Sequence, residues 1–106
     1  MKKDLNVRIS CICTENRELA FYGDIMGESV WLFSTRYFDQ SVYDLFRNGI
    51  TLRKLLKTDY PRRQTKHSIL GQRLQHIKER SIQMLKWYEK TYDTAIFRKN
   101  TVPLAA

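Results

Sequence analysis

The sequence predicts an α+β fold: a three-stranded antiparallel β-meander followed by two short helices and one long C-terminal amphipathic helix. Apolar residues alternate with polar ones near the start of the chain, which is typical of strands, and recur at intervals of three and four near its end, which is typical of a helix. Glycine and proline divide the segments in between. We expect a single domain, with the meander over 1–35, the short helices over 39–58, the long helix over 62–97 and a flexible tail over 98–106.

The meander is predicted from three apolar segments separated by turn residues. In the first segment every second residue is apolar or a cysteine, so one face of the strand is buried. These positions are Leu5, Val7, Ile9, Cys11 and Cys13. Residues 18–22 and 29–35 are rich in branched and aromatic side chains and predict the second and third strands. A polar turn at 14–17 ends the first strand, and Gly23 and Gly27 mark a loop or a second hairpin connection before the third strand.

Two short helices are predicted to follow the meander. Asp39 or Ser41 is suited to cap the first helix, and Gly49 is a stop signal after it. Thr51 is suited to cap the second helix. The apolar positions are Val42, Leu45 and Phe46 in the first helix and Leu52, Leu55 and Leu56 in the second.

The long helix is predicted to begin near Arg62, after a break in the pattern at Pro61. It carries one broad apolar stripe. The stripe consists of Leu70, Leu74, Ile77, Ser81, Met84, Tyr88 and Ala95. Two arrangements are open for such a helix: it covers the open face of the sheet, or it pairs with a second copy of the chain in a homodimer.

The two cysteines are predicted to be reduced and buried. Cys11 and Cys13 are two residues apart in one strand, a placement whose geometry disfavours a disulfide, and the chain has no other cysteine. Together with the distant His67 and His76 they match no zinc-binding spacing. The sequence therefore predicts no metal and no cofactor.

The sequence also predicts a cytoplasmic protein with no membrane partner. No apolar run approaches the roughly 20 residues that a helix needs to cross a bilayer. Residues 1–4 begin like a signal peptide but are followed by no continuous apolar core.

Charge is unevenly distributed along the chain. The formal net charge is +8, yet residues 1–35 carry four bases and five acids, and residues 36–106 carry fifteen bases and six acids. The segment 47–80 alone holds ten Lys or Arg and two acids. The basic character thus belongs to the helical part of the chain, where it can form a surface for an anionic partner.

Eight cationic residues are candidates to contact nucleic acid. They are Arg53, Lys54, Lys57, Arg62, Arg63, Lys66, Arg73 and Arg80. Lys66, Arg73 and Arg80 recur every seven residues and form one ridge along the long helix. Repeated cations displace counterions from a phosphate backbone, so we expect a small regulatory DNA- or RNA-binding protein of bacterial type. The alternative is a protein-binding adaptor or inhibitor, of the kind that mobile elements encode, which uses the basic face against an acidic protein.

The two short helices are also spaced like a helix-turn-helix motif, with Gly49 in the turn. The second helix is basic, as a helix that enters a DNA groove should be. Leu45 is bulky, however, where the first helix must pack closely, and Thr58 stands where an apolar residue is expected. The same spacing also suits the packing of a small core.

Two further hypotheses concern aromatic and acidic residues. A surface that stacks single-stranded bases is one of them, although core packing is the expected role of these aromatics. Its members would be Trp31, Phe33, Tyr37 and Phe38. Asp24 and Glu28 could hold a metal ion for phosphodiester cleavage, with an acidic hairpin turn as the expected alternative. With no other catalytic motif, the sequence predicts a protein that is not an enzyme.

The last three residues, Leu104-Ala105-Ala106, resemble the end of the bacterial trans-translation degradation tag, which an unfoldase reads. The resemblance implies a short-lived regulatory protein. A flexible tail without a role is the alternative.

Overall fold

The computed structural model describes residues 6–36, 38–58 and 68–97, and these form an α+β fold, as predicted. The elements in chain order are β1 (Arg8–Cys13), β2 (Leu19–Ile25), β3 (Glu28–Thr35), α1 (Gln40–Phe46), β4 (Ile50–Thr51), α2 (Leu52–Lys57) and α3 (Ser68–Tyr92). The predicted class is therefore confirmed, and the layout differs from the prediction in the sheet and at the end of the long helix.

The sheet has four antiparallel strands in the order β3-β2-β1-β4, instead of the predicted three. The additional strand β4 pairs Ile50 with Ile9 and Thr51 with Arg8. It forms because Gly49, at φ +86°, turns the chain after α1 and brings Ile50 back to the sheet. A strand of two residues is too short to show an alternating pattern, so the sequence did not predict it.

Both hairpins of the meander use residues with positive φ. The β1–β2 loop closes with a hydrogen bond from Thr14 N–H to Glu18 O at 2.9 Å, and Arg17 in the loop has φ 57°. The β2–β3 connection is a two-residue turn at Met26 and Gly27, both with positive φ, as in a type I′ turn. β2 therefore extends to Ile25, beyond the predicted end of the second strand.

Gly23 lies within β2, so the prediction that it belongs to the connection before β3 is wrong, although that connection is a hairpin, which was one of the two predicted alternatives. It is buried beneath α3, where a β-carbon at this position would lie 3.4 Å from Leu85 Cδ2. A glycine in a strand often marks such a close approach of a neighbouring element.

One face of the sheet, here called the inner face, is covered by α1 and α3. Phe21 is its central side chain: it stacks on Phe33 at a ring distance of 4.8 Å and meets Phe46 of α1 edge-on at 5.3 Å. The helix α3 thus covers the sheet, which is one of the two arrangements that the sequence left open. Pairing with a second copy of the chain stays a prediction.

The cysteines do not share the same environment. Cys11 is buried, whereas Cys13 is exposed because it is the last residue of β1, where the hairpin loop begins. The prediction that both thiols are buried is therefore wrong for Cys13.

The short helices are capped as predicted. The Asp39 carboxylate accepts hydrogen bonds from the N–H groups of Ser41 at 3.0 Å and Val42 at 3.3 Å, and Asp39 rather than Ser41 is therefore the N-cap of α1. Thr51 Oγ1 accepts from Lys54 N–H at 3.2 Å and caps α2. Thr51 thus ends β4 and begins α2 within one residue.

The helix α3 ends at Tyr92, so the prediction of a helix to residue 97 is wrong. Asp93 adopts φ 51°, and Thr94 N–H donates to Glu89 O at 3.1 Å, which is the hydrogen bond of a Schellman motif. The chain then folds back, and Ile96 is fully buried in the core. The predicted start of the helix at 62, the tail over 98–106 and the residues Leu104-Ala105-Ala106 lie outside the described residues.

In the described part of the chain, no helix combines the length and the apolar character that crossing a membrane requires.

Candidate anion-binding surfaces

The structure describes five of the eight cationic residues that were predicted from the sequence to contact nucleic acid. They are Arg53, Lys54 and Lys57 on α2, and Arg73 and Arg80 on α3. The other three, Arg62, Arg63 and Lys66, lie outside the described residues.

The five residues belong to two separate surfaces on opposite flanks of α3. Lys78 of α3 donates from Nζ to the carbonyl oxygens of Thr58 at 2.7 Å and Leu56 at 3.5 Å, so α2 ends beside Lys78. Arg73 precedes Lys78 by five residues, which places the two side chains about 140° apart around the helix axis. Arg80 projects on the same side as Arg73 because it follows Arg73 by seven residues.

The first surface, here called the α2 surface, consists of Arg8, Arg47, Arg53, Lys54 and Lys57, all of which are exposed. Arg8 belongs to β1 and joins the surface because its Nη1 lies 3.5 Å from Gly49 O. The segment 47–58 contains no acidic residue. The sequence pattern did not select Arg8, whose place depends on the pairing of β1 with β4.

The second surface is a groove of about 700 Å³ between the end of β3 and α3, here called the β3–α3 groove. Its strand side is formed by Phe33, Ser34, Thr35 and Arg36, and its helix side by Ile69, Gln72, Arg73, His76, Ile77 and Arg80. Leu19, Asp39 and Val42 complete the lining. The groove therefore combines apolar and cationic side chains.

The strand side of this groove lies along the edge of the sheet. β3 is a terminal strand in the order β3-β2-β1-β4. Four consecutive residues, 33–36, line the groove, although successive side chains of a strand point to opposite faces. We conclude that the groove includes the edge of β3 as well as the end of the inner face, which it reaches at Leu19 of β2.

An ion pair joins the groove to α1. Arg73 Nη1 donates to Asp39 Oδ2, while Asp39 Oδ1 caps α1. Burial on its own would raise the pKa of Asp39. The hydrogen bond from Arg73, the backbone N–H groups of Val42 and Ser41, and the charge of Arg73 outweigh burial and lower the pKa of this carboxyl below its usual value.

The other cations of the groove are available to a ligand in different degrees. The guanidinium of Arg80 lies over the ring of Phe33, 5.6 Å from its centroid, and its side chain is half-buried. Arg36 is exposed, and His76, a further polar residue of the lining, is exposed as well. The lining holds one acidic residue, Asp39, and this carboxylate is already engaged by Arg73. The groove is thus a cationic surface with an apolar floor.

The four aromatic residues of the base-stacking hypothesis do not form one continuous surface. Phe33 is buried and stacks on Phe21, and Phe38 is half-buried beside Tyr43. Trp31 is exposed on the outer face of the sheet, and Tyr37 lies outside the described residues.

Asp24 and Glu28 do not converge on one site. Asp24 pairs with Ser29, while Glu28 pairs with Ile25, the neighbour of Asp24, so the two carboxylates lie on opposite faces of the hairpin. Across the residues that the structure describes, no group of three or more His, Cys, Asp or Glu is placed to hold a metal ion.

The two short helices are not joined as in a helix-turn-helix motif. β4 lies between them and is bound to β1, so the connection is part of the sheet. The six residues of α2 also give less than two helical turns.

Comparisons of the chain with protein-family models, with curated proteins and with solved structures gave no match.

Proposed function

We propose that this protein is a small, non-catalytic nucleic-acid-binding protein with a regulatory role, and that its α2 surface contacts the phosphate backbone. The observation that carries this proposal is the collection of five exposed cations, from β1, the C-cap of α1 and α2, around a segment without acidic residues. A surface on which exposed cations predominate in this way suits a polymer of regularly spaced negative charges.

The α2 surface is better suited to phosphate than the groove. Arg53, Lys54 and Lys57 are exposed, whereas Arg73 is engaged by Asp39 and Arg80 rests on Phe33. We therefore assign Arg53, Lys54 and Lys57 to direct phosphate contact. Arg62, Arg63 and Lys66 would extend the contact, and Arg73 and Arg80 would contribute mainly to the long-range field that attracts the nucleic acid.

A salt titration tests the proposal. The measurement is fluorescence anisotropy of labelled duplex DNA, single-stranded DNA and single-stranded RNA with the full chain, from about 20 to 200 mM salt. We expect binding at micromolar protein concentrations at low salt. In a plot of the logarithm of the association constant against the logarithm of the salt concentration, the magnitude of the slope should decrease by about one for each phosphate contact removed.

Two variants with the same change in net charge distinguish a defined surface from overall charge. R53Q/K54Q/K57Q removes three cations of the α2 surface, and R17Q/K86Q/K90Q removes three exposed cations elsewhere. The first variant should reduce the salt slope by about three and the second should leave it nearly unchanged. No binding by the wild-type chain at low salt, or equal loss in both variants, would contradict the proposed surface.

A further inference from the structure

We infer that the β3–α3 groove binds an extended acidic segment of a partner protein, which adds to the edge of β3 as a further strand. This interaction is separate from the α2 surface and does not depend on nucleic-acid binding. Three features of the groove carry the inference: its sheet edge, its dimensions and its combination of apolar and cationic side chains.

The edge of β3 offers backbone hydrogen-bonding groups to a peptide. In an edge strand, the N–H and C=O groups of every second residue point away from the neighbouring strand. No strand within 6–36, 38–58 or 68–97 pairs with the outer side of β3. An extended peptide in the groove would form these hydrogen bonds, and main-chain pairing of this kind supplies affinity that is independent of peptide sequence.

The groove has the length of a short peptide strand. Residues 33–36 span about 10 Å at the rise of a β-strand. The facing part of α3, from Ile69 to Arg80, spans about 16 Å at the rise of a helix. Three to five residues of an extended chain occupy this length, and the groove volume of about 700 Å³ falls in the range of ordinary ligand sites.

The side chains of the groove select an occupant in which apolar and acidic residues alternate. Phe33 and Ile77, which are almost fully buried, form the apolar floor, and the accessible apolar surface comes mainly from Ile69 on the helix side, which is 63% exposed. Arg36 and Arg80 supply positive charge around it. Because the side chains of a strand alternate in direction, apolar residues would face the floor while acidic residues meet the cations.

These features favour a peptide over a nucleic acid. Phe33, the aromatic ring of the groove, is 2% exposed and cannot stack on a base. A peptide, by contrast, uses the apolar floor and can pair with both the N–H and the C=O groups of the sheet edge, whereas a phosphate backbone can only accept hydrogen bonds from the N–H groups.

A peptide of alternating valine and glutamate, eight residues long and labelled with fluorescein, is a direct probe. We expect saturable binding to the full chain by fluorescence anisotropy. A matched peptide in which lysine replaces glutamate should bind at least about tenfold more weakly, because it places like charges against Arg36 and Arg80. Equal binding of both peptides, or no binding of the acidic one, would overturn the inference.

Two pairs of matched variants locate the site. I69E places a negative charge in the groove, while I12E places the same charge on the outer face of the sheet, where Ile12 is 51% exposed. R36E and K90E form the second pair, because Lys90 is exposed near the end of α3, beyond the residues that line the groove. We expect I69E and R36E to weaken peptide binding at least about tenfold, and I12E and K90E to change it less than about twofold. Equal effects within each pair would overturn the site.

Backbone pairing and independence from nucleic acid need separate measurements. N-methylation of every second residue can start at the first or at the second residue, which gives two peptides. One of them lacks the N–H groups that would pair with β3, and we expect it to bind at least about tenfold more weakly than the unmodified peptide. The triple variant R53Q/K54Q/K57Q should keep peptide binding even where oligonucleotide binding is lost. The opposite outcome is that a single-stranded oligonucleotide displaces the peptide and that I69E weakens the binding of the oligonucleotide as well. In that case the groove belongs to a nucleic-acid surface and the inference is wrong.

Discussion

Ser81 is a buried polar residue on the core side of α3. The side chain is fully buried, and its hydroxyl oxygen finds no hydrogen-bond partner among the described residues. The sequence placed Ser81 on the apolar stripe, so its burial was predictable, but the missing partner depends on the packing around it. A buried hydroxyl without a partner lowers stability.

We predict that Ser81→Ala stabilises the protein by about 1 kcal/mol. The change removes an unsatisfied hydroxyl and places the best helix former in a helix interior. The free energy of unfolding from a urea titration measures the effect, with the exposed Ser29→Ala as a control that should be neutral. A loss of stability in Ser81→Ala would show that the hydroxyl has a partner in solution.

The two thiols should differ in reactivity. Burial, followed by the neighbouring Cys13, raises the pKa of Cys11 to about 11, so Cys11 is almost entirely a protonated thiol at neutral pH. Cys13 is exposed. We predict that a thiol reagent such as DTNB modifies one cysteine rapidly in the native protein and the second only on unfolding.

Single substitutions assign the rapid reaction. Cys13→Ser should abolish the rapid phase at pH 8, and Cys11→Ser should retain it. A rapid phase that survives in Cys13→Ser would mean that β1 opens readily at Cys11.

At the scale of the elements, the β2–β3 turn places a poorly suited residue in a demanding conformation. Met26 has φ 52° and is 79% exposed, while the next residue, Gly27, has φ 82°. Asparagine before glycine is the preferred pair for a type I′ turn, because asparagine tolerates positive φ. We predict that Met26→Asn stabilises the protein by about 0.5–1 kcal/mol in urea unfolding.

Met26→Ala separates conformation from loss of an exposed apolar side chain. Alanine at positive φ carries the same steric cost as other L-residues, so Met26→Ala should not increase stability. Equal stabilisation by both variants would indicate that removal of the exposed methionine, and not the turn conformation, is responsible.

The elements also show which helix ends can be predicted from the sequence. Asp39, Thr51 and Gly49 carry local signals, a capping oxygen or freedom at positive φ, and the structure uses each of them as predicted. The end of α3 carries no comparable signal. It depends on Glu89, whose carboxylate accepts from the N–H groups of Ile96 at 2.5 Å and Phe97 at 2.7 Å, so the helix end is stabilised by the fold of the residues after it.

At the scale of the whole molecule, Asp39 connects α1 to α3, and this connection should depend on pH. A lowered pKa means that the ionised carboxylate stabilises the folded state. Its contribution is present well above the usual pKa of 3.8 and is lost as the pH falls through the lower pKa of the folded state. Because the Arg73 side chain is 51% exposed, we expect the ion pair to contribute about 1 kcal/mol or less.

Unfolding of the wild-type chain and Asp39→Asn at pH 7 and at about pH 2.5 tests this prediction. Asparagine retains an oxygen that can cap α1, so the variant loses mainly the ion pair. We predict that the wild-type chain is more stable than Asp39→Asn at pH 7 and that the difference shrinks in acid. Arg73→Gln should have little further effect in the Asp39→Asn background, and additive losses would contradict the ion pair.

The candidate surfaces were predictable to different degrees. The exposed cations of α2 follow from a short amphipathic pattern around Leu52 and Leu55. The β3–α3 groove was not predictable, because residues 33–36 and 69–80 meet only when α3 packs beside the edge of the sheet. Arg36 is an example. It follows the end of β3 and belongs to no periodic pattern in the sequence, so only the tertiary structure shows that it lines the groove.

The small strand β4 has a consequence for the order of folding. The hairpins of the meander form contacts between residues close in sequence, whereas the link between Arg8 and Gly49, the residue before β4, spans 41 residues. Closing so long a loop costs chain entropy before it is offset by new contacts, so the transition state for folding should contain the meander before β4 docks. Substitutions in the β2–β3 hairpin would then act mainly on the folding rate, and substitutions at Ile50 mainly on the unfolding rate.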